Sequence, residues 1–247
     1  MENKININLE WLSEKHTDEI PLAYIPVFTD HPWHEEFECA CGAGPYSLGC
    51  QRNKEDIECE EFKTGKLFLI KNEEEKCGQC EKTLIDVLKP IYTFNSVKED
   101  YLDSLKKPGF LGVGAFRFNK LAGFCWGYNF PLDNQPKTGS TWYKEAGEIL
   151  KNIGADPEKS FYHNESGTLY EHRGLGIGTA ALQKVLKKNA ETHDYAVFRT
   201  INPAMVRCYE KSLGLEKNSL KPQFNDPNPD KRQLWYVLNL NKFKNIK

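Results

Sequence analysis

The sequence predicts an α/β fold with a small cysteine-rich element attached on its N-terminal side, on three observations. From Phe110 onward, β-rich runs alternate with amphipathic helical stretches. A glycine-rich turn, Arg173-Gly-Leu-Gly-Ile-Gly178, joins one of those runs directly to a helix. Six of the eight cysteines lie between Cys39 and Cys80, in a segment too poor in aliphatic residues to bury a core of its own.

Composition narrows the function classes first. The chain is 39% hydrophobic and 28% charged, an ordinary globular balance. No apolar run approaches the roughly 20 residues that a membrane-spanning helix needs. Met1 to Glu10 is polar and acidic, without the basic-then-apolar pattern of a secretory leader. A cytoplasmic location with no membrane partner is therefore expected. A formal charge of −2 argues against a general binder of polyanions, so no nucleic-acid partner is expected either.

The elements follow in order. Residues 1–63 form an N-terminal segment with the cysteine-rich element, and residues 64–247 the main domain. Ile5 to Leu12 is amphipathic, and the segment after it is interrupted by Pro21, Pro26 and Pro32. Lys66 to Ile70 reads as a short strand. Cys80 to Ile91 suits a helix, with Leu84, Ile85, Val87 and Leu88 apolar and Pro90 near its end. Ser96 to Leu105 suits a second helix, Ser96 serving as N-cap and Glu99 completing a capping box. Phe110–Phe118 and Leu121–Phe130 are predicted to form a hairpin turning at Asn119-Lys120. Within it Phe124, Trp126 and Tyr128 share one face, which core packing explains. The polar connection 131–160 carries a helix from Tyr143 to Ile153. Then come a strand from Phe161 to Leu169, a helix from Thr179 to about Thr192, and a strand from Tyr195 to Thr200. A helix from Pro203 to Leu213 has Pro in its first turn, and Gln233 to Leu240 is the last strand.

The turn at 173–178 is the most informative segment. Glycines let successive N–H groups point at one spot and keep side chains out of a ligand's way. The helix start adds unpaired donors and partial positive charge, which suits a pyrophosphate. It is not a Walker A loop, because no Gly-Lys-Ser/Thr follows, and its glycine spacing does not suit a dinucleotide fold.

Arg173, Gly176 and Gly178 resemble the (Gln/Arg)-x-x-Gly-x-(Gly/Ala) pattern of the GNAT superfamily of N-acetyltransferases. Asn202-Pro-Ala-Met-Val-Arg-Cys-Tyr-Glu-Lys-Ser-Leu-Gly-Leu215 is similar to that family's second signature. The resemblance covers about residues 64–240 and is strongest over 161–215. It departs from the family pattern at Tyr170, His172, Leu175 and Leu215. It implies an acyl-CoA N-acyltransferase fold: a mixed, mostly antiparallel sheet splayed at the cofactor, with helices on both faces. It also implies an acetyl-CoA-dependent N-acetyltransferase in which an amine attacks the thioester directly. Cofactor binding then falls to Thr168, Leu169, Tyr170, Arg173, Gly174, Leu175, Gly176, Ile177, Gly178, Thr179, Asn202 and Tyr209. Tyr209 is expected to protonate the departing thiolate.

Glu165 is the expected base for the incoming ammonium, its carboxylate raised in pKa beside apolar strands. His163, two residues away on what alternation makes the same strand face, is the second candidate, and water a third. The resemblance assigns Asn202 to the pantetheine, and Asn202 also suits the cap of the helix that follows; the two roles are compatible. In this fold the acceptor enters opposite the cofactor, so the connection from Pro131 to Ser160, with Trp142, Tyr143, Lys144, Glu145 and Glu148, is a candidate acceptor entrance.

Cys39-x-Cys41 and Cys77-x-x-Cys80 are two paired-thiolate motifs, and Gly42 and Gly78 after them suit zinc-knuckle turns. A structural Zn²⁺ held by Cys39, Cys41, Cys77 and Cys80 is expected, since metal can hold a segment with little core. Cys50, Cys59, His31 and His34 are further ligand candidates. The acceptor is a small-molecule or peptide amine, and an oligomer is compatible with the sequence. The alternative to an enzyme is a non-catalytic CoA-binding or zinc-scaffolded interaction module.

Overall fold

The computed structural model describes residues 6–29, 37–41, 46–47, 68–69, 76, 79–83, 88–132, 142–200, 202–225, 227 and 234–242. These fall into two compact units. One holds the described residues of Met1–Lys15, Leu102–Thr168 and His172–Lys247, the other those of His16–Tyr101 and Leu169–Glu171. In chain order the strands are β1 (Asn8–Trp11), β2 (Phe37–Cys39), β3 (Tyr46–Ser47), β4 (Phe68–Leu69), β5 (Leu88–Pro90), β6 (Leu111–Arg117), β7 (Lys120–Asn129), β8 (Ser160–Thr168), β9 (Tyr195–Thr200), β10 (Phe224–Asn225) and β11 (Leu234–Asn239). The helices are α1 (Glu19–Thr29), α2 (Phe94–Leu105), α3 (Trp142–Asn152), α4 (Ile177–Asn189) and α5 (Pro203–Ser212).

In the first unit a seven-stranded sheet runs β1-β6-β7-β8-β9-β11-β10. Every neighbour pair is antiparallel except β8–β9. This is the mixed, mostly antiparallel sheet that the resemblance implied, and Asn8–Trp11 forms one of its edges. The apolar residues of α4 at Ile177, Ala181 and Val185 pack with Val113, Cys125 and Phe161. Leu182 and Leu186 of α4 join Phe198, Tyr209 and Tyr236. On the opposite face Tyr143, Ala146 and Leu150 of α3, spaced at helical period, pack with Tyr128, Tyr162, Val197 and Trp235. Alternation along β8 and β9 thus sends Phe161 and Phe198 one way, Tyr162 and Val197 the other.

In the second unit the described strands form a sheet β4-β3-β2-β5, antiparallel except for β3–β4. Helix α1 buries Ile20, Ala23 and Val27 although Pro26 lies inside it. Pro26 has no N–H for the Leu22 carbonyl, and Leu22 is exposed, so water can serve that carbonyl. The aromatic rings of Tyr24, Phe28 and Tyr92 gather beside it.

Local expectations are corrected at several points. Leu88–Pro90 is a strand paired with Phe37–Cys39, not part of a helix; Pro90 is tolerated because β5 is an edge strand. Residues 84–87 of that expected helix lie outside the described residues. Helix α2 begins before Ser96: Thr93 is its cap, its Oγ1 accepting from the Ser96 amide at 3.1 Å while Ser96 Oγ accepts from the Thr93 amide at 2.9 Å. The β6–β7 hairpin turns at Phe118-Asn119, both with positive φ, rather than at Asn119-Lys120.

Candidate active site

The site lies where the one parallel pair of the main sheet comes apart. β8 pairs with β9 only from Ser160↔Tyr195 to Tyr162↔Val197, yet β8 continues to Thr168 and β9 to Thr200. Beyond that point the two strands no longer pair with each other.

A bulge sits beside the split. Trp126 pairs with Glu165 but Gly127 pairs with His163, so Asn164 is an extra residue on β8. Gly127 is what lets the strands close up there, because a Cβ on it would collide with the Tyr162 carbonyl. The bulge breaks the alternation of β8. Glu165 shares the face of its partner Trp126, with Asn164 and Tyr128, whereas His163 faces Tyr209 on the other side. The expectation that Glu165 and His163 share a face is therefore wrong, for a reason the two-residue spacing does not contain.

On the α5 side, Asn202 caps α5, its Oδ1 accepting from the Ala204 amide at 2.9 Å, and this helix carries Tyr209 inward. Tyr209 is fully buried and stacked on Phe198, with ring centroids 3.6 Å apart. Its hydroxyl hydrogen-bonds His163 Nδ1, and His163 Nε2 lies 3.0 Å from the Glu165 carbonyl. A carbonyl only accepts, so Nε2 carries the proton, Nδ1 accepts, and Tyr209 donates. Burial lowers the His163 pKa to about 4, against the pull of the Glu165 carbonyl, so the ring is neutral near pH 7. Both nitrogens of the buried His163 ring are therefore occupied in this arrangement. Burial raises the Tyr209 pKa, so the phenol keeps its proton.

On the opposite side, Asn164 Nδ2 donates to Glu165 Oε1 at 3.4 Å, and Asn164 Oδ1 accepts from the Tyr128 hydroxyl at 3.1 Å. The rings of Tyr143 and Tyr162 lie beside this group, and the Arg199 charge acts to lower the buried Tyr162 phenol's raised pKa. Sequence reading missed Asn164, Tyr162 and Arg199. The one visible signal was a cationic residue inside the otherwise apolar run Tyr195–Thr200.

The glycine-rich turn stands at the head of α4. Gly174 and Gly176 adopt φ of +75° and +78°, conformations that side chains resist, and a Cβ on either would meet nothing within 4 Å. Open space beside left-handed glycines makes a cradle. The first bond of α4 runs from the Ala180 amide to the Gly176 carbonyl, so the amides of Ile177, Gly178 and Thr179 precede it, as donors at a helix start that suit an anion. Gly178 abuts Thr168, since a Cβ there would lie 3.0 Å from Thr168 Oγ1. Arg173 Nε donates to the Thr168 carbonyl at 3.1 Å, tying the turn back to the end of β8. Leu175 is partly buried against the α4 cluster, while Leu169 is half-buried and Tyr170 is exposed as it opens a single 3-10 turn. These residues fit the pyrophosphate of a coenzyme A: a cradle without side chains, amide donors, and a helix N-terminus.

Of the expected metal ligands, Cys77 lies outside the described residues, as does the side chain of Cys39 at the end of β2. Cys41 is exposed and Cys80 half-buried. No group of three or more His, Cys, Asp or Glu placed to hold a metal occurs among the described residues. No helix among them is long and apolar enough to cross a membrane.

A sheet split at its parallel pair, beside a helix that opens on glycines, defines the acyl-CoA-binding class of α/β fold. The chain belongs to the acetyltransferase (GNAT) family, whose model matches residues 82–215, more than half of its length. No curated protein matches the sequence. Among solved structures, aminoglycoside acetyltransferase AAC(6')-Ib in complex with ribostamycin and coenzyme A is similar in fold, at a TM-score of 0.51, 13% identity and 98% of each chain covered. The same enzyme with coenzyme A gives 0.50, 13% identity and 95% of each chain. An N-acetyltransferase from Staphylococcus aureus gives 0.47 and 12% identity, over 95% of this chain and 99% of that one. The protein is an acetyl-CoA-dependent N-acetyltransferase.

Proposed function

We propose that the protein acetylates a cationic amine on a small molecule or peptide, with Glu165 as base and Tyr209 as proton donor. The observation that carries the reading is the bulge at Asn164, beside the split, which puts Glu165 on one face of β8 and His163, bonded to the Tyr209 hydroxyl, on the other. Acetyl-CoA supplies an activated acetyl thioester, held by the turn Arg173–Gly178, the first-turn amides Ile177 to Thr179, and the end of β8 at Thr168. Asn202 keeps its side-chain amide N–H for the same ligand while its Oδ1 caps α5. Glu165 removes the ammonium proton and leaves a neutral amine as nucleophile. Tyr209 holds its proton on His163 until a thiolate takes it. The solved aminoglycoside acetyltransferase carries ribostamycin, a polyamine, which supports a small cationic acceptor here. A screen of amines followed by thiol release identifies the acceptor. With that acceptor, Glu165→Gln should abolish turnover yet keep acetyl-CoA affinity; full turnover would remove Glu165 from the chemistry.

The cysteine-rich element is proposed to hold one structural Zn²⁺ through Cys39, Cys41, Cys77 and Cys80. Cys39 ends β2 and Cys41 lies in the turn after it, while the bridge Lys76↔Thr83 closes the turn that holds Gln79 and Cys80. Cys41 and Cys80, each on a turn, suit two thiolates of a tetrahedral site.

A further inference from the structure

At the tip of the β6–β7 hairpin an exposed aromatic ring and a guanidinium stand side by side, next to the start of the glycine-rich turn. We infer that Arg117 and Phe118, with His172, receive the adenosine 3′-phosphate end of coenzyme A, the ring taking the base and the guanidinium the phosphate. The inference rests on the reading of residues 173–179 as the pyrophosphate site.

Hairpin formation alone does not account for either residue. Phe118 adopts φ of +51° in the turn, a left-handed conformation that suits Gly, Asn or Asp and strains a bulky side chain. Its ring is 82% exposed, so burial in the core does not offset that strain. The ring lies instead against the Arg117 guanidinium, whose carbon is 4.8 Å from its centroid. Arg117 ends β6 half-buried, with Nη1 3.4 Å from His172 Nδ1. A guanidinium only donates, so His172 Nδ1 accepts and Nε2 carries the ring proton. Among the described residues no carboxylate pairs with Arg117. Its other N–H groups remain for an anion, and the Nε2–H of His172 is a further donor beside them.

Sheet register puts this tip at the same end of the sheet as the glycine-rich turn. Arg117 pairs with Lys120, and β7 runs from there to Gly123, which pairs with Thr168. A Cβ on Gly123 would lie 3.1 Å from Ile177 Cγ2, so the first residue of α4 rests on β7 at that point. Three residues of strand, about 10 Å, separate Gly123 from Lys120. From the other direction, Arg173 and Gly174 follow His172 directly. Coenzyme A carries two anionic groups, a pyrophosphate and a 3′-phosphate on the ribose that bears the adenine. The cradle and the first-turn amides suit the pyrophosphate. The 3′-phosphate suits the forked donors of an arginine, and adenine stacks on an exposed aromatic face. A ring and a cation in contact therefore match the base and the phosphate of one nucleoside.

Acetyl-dephospho-coenzyme A, which lacks only the 3′-phosphate, provides a test that needs no change in the protein. By calorimetry, wild-type protein should bind acetyl-CoA about tenfold or more tightly than this analogue, as for the loss of charge-assisted hydrogen bonds. Arg117→Gln should weaken acetyl-CoA by that factor, leave the analogue unchanged, and bring the ratio of the two close to one. Phe118→Ala should weaken both ligands several-fold, because both carry the base. Equal binding of the two ligands by wild-type protein overturns the inference. So does an Arg117→Gln variant that weakens both equally, which would assign the guanidinium to the pyrophosphate, and so does wild-type affinity in Phe118→Ala. Undiminished acetyl-CoA binding in Gly176→Asp, with the wild-type preference for the 3′-phosphate intact, overturns the cradle reading instead and leaves the hairpin tip standing.

Discussion

Tyr209 donates its hydroxyl proton to His163 Nδ1, and His163 can receive it only because its Nε2 is committed to the Glu165 carbonyl 3.0 Å away. The pair is held from both ends. Tyr209 stacks on Phe198, which itself stacks on Tyr236 with centroids 4.9 Å apart. The backbone of the proposed base and the proposed acid are thus linked through one neutral imidazole, across the thickness of a single strand.

That imidazole makes stability depend on pH in a stated direction. Its folded pKa is about 4, below an unfolded value near 6.5. Between those values the unfolded chain binds a proton that the folded chain does not, so stability falls as pH drops from about 6.5 toward 4. The full difference corresponds to roughly 3 kcal/mol. Chemical denaturation across that window should show the fall, and His163→Gln should flatten part of it. An equal slope in the variant would mean that His163 titrates freely in the folded protein.

Replacing Tyr209 by Phe removes the donor while keeping the ring stack. The kcat should drop by about 10²-fold, as for loss of a positioned acid, while acetyl-CoA affinity stays the same. Stability should fall too, by about 1–3 kcal/mol, because His163 Nδ1 loses its buried donor. A stable variant with undiminished kcat would leave Tyr209 as packing alone.

The cradle makes a separate prediction. Gly176 at φ +78° opens on empty space, and Asn tolerates that conformation better than other side chains do. Acetyl-CoA should raise the melting temperature of wild-type protein. Gly176→Asn should keep the fold and reduce the shift, and Gly176→Asp should abolish it by placing a carboxylate where the pyrophosphate binds. A shift of wild-type size in the Asp variant would place the cofactor elsewhere.

The parts of this architecture set by local chemistry were legible in the sequence. Tyr195–Thr200 and Pro203 at the head of α5 show in periodicity and helix-start signals, and the turn at 173–178 shows in its glycines. The bulge at Asn164 was not legible, because its cause lies on another strand: Gly127 lets β7 approach the Tyr162 carbonyl. Without it, alternation puts Glu165 and His163 on one face. The helix expected at 80–91 fails for a related reason, since pairing with Phe37–Cys39 claims Leu88–Pro90 as an edge strand. Thr93 as a cap was missed because Ser96 and Glu99 also satisfy the capping-box pattern.

For the cysteine-rich element, elemental analysis of purified protein should find about one zinc per chain. Cys77→Ser with Cys80→Ser should lower both metal content and stability, because binding free energy at such a site is folding free energy. Fully stable, metal-free protein would leave these cysteines as thiols with no shared ligand.

The last prediction separates two neighbours at the start of α3. Tyr143 is not part of an acceptor entrance: it is buried, edge-on to Phe130 and Tyr162 at 6.1 Å and 5.6 Å, and lies on one stripe with Ala146 and Leu150. Tyr143→Ala should therefore cost about 3–5 kcal/mol, as truncation of a packed aromatic does. Trp142 begins the same helix, and its side chain lies outside the described residues. The connection 131–160, which includes this helix, is the proposed acceptor entrance, where the Trp142 aromatic face and the carboxylates of Glu145 and Glu148 suit a cationic amine. Trp142→Ala should raise the acceptor KM several-fold with acetyl-CoA binding and stability nearly unchanged, the signature of lost acceptor-binding energy. If it instead lowers stability and cofactor affinity together, Trp142 belongs to the core with Tyr143, and the acceptor enters past other residues.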